Sequence, residues 1–241
     1  MTSFPETLAR ALRTAPGSPL VTFYDEASGE RQELSTTTYA NWVAKASGLL
    51  VDEHGLERGD SIRIDLPTHW LATVFLGAAW NTGLVVTDSD DSASAGPDAV
   101  VCGPDTLETW TEGAGKRPTL ACSLLPFGVR FADPLPQGVH DVGIEVWGQP
   151  DGFIPVDPPA ADDPATSWSG TETSHAELFG GGGETARLLS TVPPASPEGA
   201  ELLAGLLAGG GSLVLIVNAT ADRLAAVASS EHATQFPDHS S

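Results

Sequence analysis

The sequence predicts an α/β fold, a mostly parallel sheet flanked by helices. Three observations carry that prediction. Helix-period and strand-period segments alternate along residues 6–87, the order in which crossover helices cover a parallel sheet. Residues 68–80 are apolar almost all round, which suits a helix buried on several sides. Leu213–Val217 (LVLIV) is an unbroken apolar run suited to the middle of a parallel sheet.

The elements follow in order. Leu8, Ala11, Leu12 and Ala15 give helical spacing over Glu6–Thr14, and Pro16-Gly17 ends it. Leu20–Tyr24 reads as a strand, with turn residues Ala27–Glu30 returning the chain along Arg31–Leu34 as a hairpin. Tyr39, Trp42, Val43, Ala46, Leu49 and Leu50 share one face of a helix starting near Thr36–Thr38. Gly55–Asp60 turns the chain into the strand Ser61–Leu66, closed by Pro67. Thr68 is placed to cap the next helix, which Asn81-Thr82-Gly83 stops before the strand Leu84–Thr87.

Residues 88–165 are less regular. Ala99–Cys102 and Thr119–Leu125 look like short strands, and Val142–Trp147 has strand-like alternation. Prolines and glycines crowd Asp133–Pro164, so 103–160 reads as an irregular excursion from one domain spanning 1–241. Phe127, Phe131, Trp147 and Phe153 call for burial, which argues against a disordered linker. Strong pattern then returns. Arg187–Thr191 is a strand, and Ser196-Pro197-Glu198 opens a helix with cap, proline and acid in the favoured order. Gly209–Gly211 ends that helix before LVLIV, Asp222–Ser230 is a last helix, and residues 231–241 form a polar tail.

Eleven basic residues against 32 acidic ones give a net charge of −21, with Lys45 and Lys116 the only lysines. Such a surface repels phosphate backbones and anionic lipids, which argues against nucleic-acid and membrane partners. Cys102 and Cys122 fit neither a disulfide framework nor a zinc pattern and read as buried, reduced thiols. The N-terminal stretch has no signal-type apolar region, and the longest apolar run is too short to span a bilayer. A soluble, cytoplasmic protein is the expectation.

Few residues suggest chemistry. Asp88, Asp90 and Asp91 alternate as in a hard-cation loop but lack its later glycine and glutamate, so a solvated cluster is expected. The six histidines (54, 69, 140, 175, 232, 239) have no metal-type spacing, and there is no nucleophile elbow for a hydrolase. Gly180–Gly183 precedes a strand where a phosphate cradle would need a helix, so it reads as a turn. That leaves Trp168–Phe179 (WSGTETSHAELF). Ser169, Gly170 and Thr171 could wrap an anion, yet no Lys or Arg occurs in residues 131–186 to neutralise phosphate charge. On its residues alone the segment is a turn.

Leu8–Val86 resembles the opening of adenylate-forming enzymes, the acyl-CoA synthetase and AMP-dependent ligase superfamily. The likeness rests on VTFY…RQELS, TTTYANWVAKASGLL and GLERGDSIRIDLPTHWLATVFLGAAWNTGLVV. ADDPATSWSGTE is similar to the lead into that family's phosphate loop, TSHAEL to the segment after it, and LLSTVPP…AELLAGLLAGGGSLVLIV to the strand, helix and strand beyond. The resemblance covers the chain apart from residues 103–160 and implies a truncated version of the large N-terminal domain. It also implies a vestigial nucleotide site at Ser169, Gly170, Thr171, Glu172 and His175, because the Gly-x-Pro-Lys-Gly half of the family loop is missing between Glu172 and Ser174. The family's later segments, with the ribose-binding aspartate and late lysine, have no counterpart in the sequence.

The expectation is therefore a catalytically degenerate ligase-like protein that binds a ligand or partner, with no catalytic residue, metal or cofactor and at most residual ATP or AMP binding. One part of a split ligase completed by another chain, and a purely structural subunit, are the alternatives. Uncovered sheet surface would call for a homodimer or a capping protein.

Overall fold

Local signals set most of the helix starts. In the computed structural model, which describes residues 2–90 and 96–236, Glu6 of α1 (Phe4–Thr14) accepts from the Ser3 amide at 3.0 Å and caps the first turn. The hairpin of β1 (Pro19–Asp25) and β2 (Glu30–Ser35) follows. Ser35 Oγ then accepts from Thr38 N at 3.1 Å to open α2 (Thr36–Gly48). A π-helical turn, Leu49–Glu53, prolongs α2. Beyond β3 (Ser61–Asp65) the cap of α3 (Trp70–Thr82) is His69 and not Thr68. His69 Nδ1 accepts from Leu71 N at 3.2 Å, while Thr68 Oγ1 donates to Thr191 O. Gly83, at φ 76°, closes α3 in the left-handed conformation before β4 (Val85–Thr87).

The excursion is more regular than the sequence suggests. It follows β5 (Ala99–Cys102) and holds α4 (Leu107–Thr111), β6 (Thr119–Ala121), β7 (Val139–Asp141) and α5 (Val142–Glu145). The strand predicted for Thr119–Leu125 stops at Ala121, and Leu124 (φ 58°) and Phe127 (φ 64°) then take left-handed backbone that cannot continue a ladder. The alternation in Val142–Trp147 is not a strand: Asp141 Oδ1 accepts from Gly143 N at 2.9 Å and winds the segment into α5 and a 3₁₀ turn. Phe127 and Trp147 are 68% and 53% exposed, against the expected burial, while Phe131 and Phe153 are half-buried.

β8 (Pro164–Trp168), β9 (Thr171–Ser174), α6 (His175–Gly180), β10 (Arg187–Ser190), α7 (Pro197–Gly209), β11 (Ser212–Val217), α8 (Ala221–Ser230) and β12 (Thr234–Gln235) complete the described chain. Of the expected tail, residues 231–236 are described and include β12; the remainder, like Asp91 of the acidic trio, lies outside the described residues.

Two sheets result. One runs β12-β10-β11-β1-β2, parallel except for β2; the other runs β7-β6-β5-β3-β4-β8-β9, parallel except for β9. LVLIV is an inner strand, flanked by β1 and β10. α3 touches β1 of one sheet and β3 and β4 of the other, which explains why all 13 of its residues are buried and why it is apolar all round. One apolar core runs through both sheets around Trp70, Trp80, Phe4 and Phe75. The glycine run ending at Gly183 lets the chain press on α7, since a Cβ there would sit 2.1 Å from Gly209 N. Cys102 and Cys122 are free and buried, and desolvation pushes both thiols up, Cys102 to about 12.

Candidate functional site

Trp168 pairs with Thr171, so Ser169 and Gly170 are the whole of the loop between β8 and β9. Both have positive φ, 49° and 79°, as the central residues of a primed hairpin turn require. Left-handed backbone costs a serine roughly 1–2 kcal/mol, and the position is held from outside. Asp88 Oδ1 and Oδ2 accept from Ser169 N at 2.9 and 3.1 Å, and Oδ2 also accepts from Ser169 Oγ at 3.1 Å. The amide and hydroxyl that could have met an anion thus already hold this chain's own carboxylate.

Burial divides the five residues of the expected vestigial nucleotide site. Ser169, Gly170, Thr171 and Glu172 are exposed at the tip and outer end of the hairpin, whereas His175 is fully buried. Ser174 caps α6 reciprocally with Glu177, which fixes the chain as it turns inward. His175 Nδ1 then accepts from Phe4 N at 3.3 Å, and its ring stacks on Phe179 at 5.8 Å. Burial pulls the imidazole down to about 4; the Asp163 carboxylate opposes that and Arg58 adds to it. His175 is therefore a neutral core group that pins α1 to α6.

A cavity of about 680 Å³ opens elsewhere, between α1 and the end of α7, and none of those five residues lines it. Its two arginines are committed. Arg10 donates to Ala208 O, and Arg187 donates to Thr22, Ser212 and Glu231. Although burial works against it, the Glu231 carboxylate is held at about 2 by hydrogen bonds from Tyr24, Arg187 and Arg31. This network ties the loop after α8 to β1, β2 and β10.

One grouping has no signal in the sequence. His54, His140 and Glu145 converge from segments up to 91 residues apart, with the two imidazole centroids 4.4 Å from each other. Asp88 and Ser169, 81 residues apart, meet in the same way. Only tertiary structure pairs such residues.

No family model matches the sequence. A TIGR03089 family protein of Mycobacterium tuberculosis (strain ATCC 25618 / H37Rv) is 36% identical over 228 residues, covering 89% of this chain and 91% of that protein. Among solved structures, an acyl-CoA synthetase of Brucella canis superposes with a TM-score of 0.76 at 16% identity, over 95% of this chain and 46% of that one. Coronafacic acid ligase of Pectobacterium brasiliense gives 0.71 at 15% identity, over 90% and 46%. The N-terminal domain of FACL13 from M. tuberculosis gives 0.71 at 14% identity, over 97% and 62%. The chain spans about half the length of the first two enzymes, and at these identities the likeness is one of fold.

Proposed function

The chain belongs to the TIGR03089 family and carries the fold of the N-terminal part of adenylate-forming enzymes, and from that premise we propose a catalytically degenerate, ligase-like protein that binds a partner or ligand and does not activate an acid. The observation that carries this reading is the closure of the hairpin: two residues of loop, with the Asp88 carboxylate on the amide and hydroxyl of Ser169. A phosphate arriving there must displace that carboxylate and then sit beside it. Two unit charges of like sign at about 4 Å repel by about 1 kcal/mol in water and about 4 kcal/mol at a partly desolvated surface. No Lys or Arg from 131 to 186 offsets this.

The partner half of the proposal is supported by exposed apolar side chains. Phe127, Val129, Ile144 and Trp147 are all exposed. Gly128 lies against Trp42, whose ring meets Trp147 at 5.4 Å, and Gly143 lies against the backbone of Val129 and Arg130, so the four belong to one region. A clustered apolar patch is the usual mark of an interaction surface.

Calorimetry with Mg-ATP, AMP and an acyl-CoA, together with light scattering, separates the two roles. Flat ATP and AMP traces, with no Kd tighter than about 1 mM, and a particle heavier than the 24.9 kDa chain are expected. A saturable acyl-CoA trace assigns the ligand role. A 24.9 kDa monomer with no co-purifying chain removes the partner role.

A further inference from the structure

We propose that His54, His140 and Glu145 form a zinc site, a property independent of whether the protein adenylates anything. Among the described residues these three have ligand atoms all within 4.8 Å of one another. Glu145 Oε2 stands 3.0 Å from His54 Nε2 and Oε1 stands 2.9 Å from His140 Nδ1. Zinc bonds to imidazole nitrogen and carboxylate oxygen are about 2.0–2.2 Å long, which puts neighbouring tetrahedral ligands a little over about 3 Å apart. The three groups therefore need only small movements to surround one ion. Each facing nitrogen would give its lone pair, with the ring proton on the other nitrogen.

All three ligands are set by backbone. His54 is held by its amide, which donates to Leu49 O at 3.2 Å in the five-residue step of the π-helical turn, a local distortion often found at functional sites. His140 is fixed by the β6–β7 register opposite Leu120. Glu145 follows five residues later at the end of α5, whose entry Asp141 clamps by accepting from Gly143 N at 2.9 Å and Phe131 N at 3.0 Å. Such preorganisation is what distinguishes a site from a chance surface cluster.

The surroundings suit a cation with an open coordination position. The His54 side chain is 7% exposed, while Glu145 and His140 are 31% and 40% exposed. They line a cavity of about 310 Å³ together with Glu53 and Gln149. Glu53 adds a second carboxylate, positioned by Gln149 Nε2 at 3.2 Å, and the chain as a whole is strongly acidic. Two imidazoles and one carboxylate with the fourth position free is the donor set of open zinc sites, and imidazole favours zinc over magnesium or calcium.

The test uses tag-free full-length protein stripped with chelator and titrated with Zn²⁺ by calorimetry, alongside His140→Ala. One equivalent of saturable uptake is expected for the unaltered protein, weakened by at least about 100-fold in the variant, beyond what losing an outer-shell partner costs. Saturating Zn²⁺ should raise the melting temperature by about 5–10 °C in the unaltered protein and not in the variant. Uptake without saturation, or equal uptake by both proteins, would overturn the proposal. If circular dichroism finds His140→Ala misfolded, Glu145→Gln takes its place with the same outcomes, and the visible absorption of bound Co²⁺ reports directly on tetrahedral nitrogen–oxygen ligation.

Discussion

Acidification from pH 7 to pH 4 is expected to cost the protein several kcal/mol of stability, through two buried histidines that stay neutral when folded. Burial pulls His69 and His175 to about 4 from the 6.5 of an exposed imidazole, against the pull of Asp25 and Asp163 respectively. In both, Nδ1 accepts a backbone amide, from Leu71 and from Phe4, and Nε2 is buried with no partner. Protonation would set N–H against N–H in each bond. The folded pKa lies below the unfolded one, so the contribution of each group is complete above pH 6.5 and is lost as pH falls toward 4. Each tenfold change in proton affinity between the folded and unfolded chain is worth about 1.4 kcal/mol, so the limit is roughly 3 kcal/mol for each histidine. Glu231, held at about 2, acts in the same direction at lower pH. Urea midpoints from pH 7 to pH 4 read this out. His175→Asn, which keeps an acceptor near Nδ1 and cannot ionise, should lose about half of the slope, and an unchanged slope would refute the assignment.

Trp80→Ala is expected to cost about 3–5 kcal/mol, a large part of the roughly 5–15 kcal/mol that holds an ordinary domain together. Trp80 is fully buried in α3, between Phe4 at 5.8 Å and Phe179 at 5.3 Å. Its indole N–H donates to Ala165 O at 3.2 Å, tying the middle helix to β8. Truncation opens a cavity where α1, α3 and α6 meet and leaves a buried carbonyl without its donor. Trp80→Phe keeps most of the packing and should lose only about 1–2 kcal/mol, largely the hydrogen bond. Chemical denaturation should show a lowered midpoint with unchanged slope. A loss below about 1 kcal/mol for the alanine variant would mean that this junction does not support the core.

The parts of the fold legible in the sequence were those with long, strongly periodic patterns. Tyr39, Val43, Ala46, Leu49 and Leu50 share the buried face that their spacing indicates, and LVLIV is an inner parallel strand. The all-round apolar helix is buried between two sheets. Short segments were less legible because local side-chain bonds outweigh period. Asp141 turns the alternation of Val142–Trp147 into a helix, and His69 takes the cap that Thr68 was placed to provide. Ser169-Gly170 gives little hairpin signal, since asparagine or aspartate usually leads such turns; the conformation is stabilised by Asp88, 81 residues away. The same limit hides the His54–His140–Glu145 cluster. No spacing rule joins a helix end to an edge strand across the fold.

Carboxylate-dependent exchange of pyrophosphate into ATP reads out the proposal that the closed hairpin at Ser169-Gly170 stands where a working phosphate loop would be. Purified protein, supplied with Mg-ATP, labelled pyrophosphate and a panel of short- to long-chain carboxylic acids, should give exchange no higher than the protein-free control. Exchange that requires a carboxylate and rises in proportion to the amount of this protein would contradict the claim.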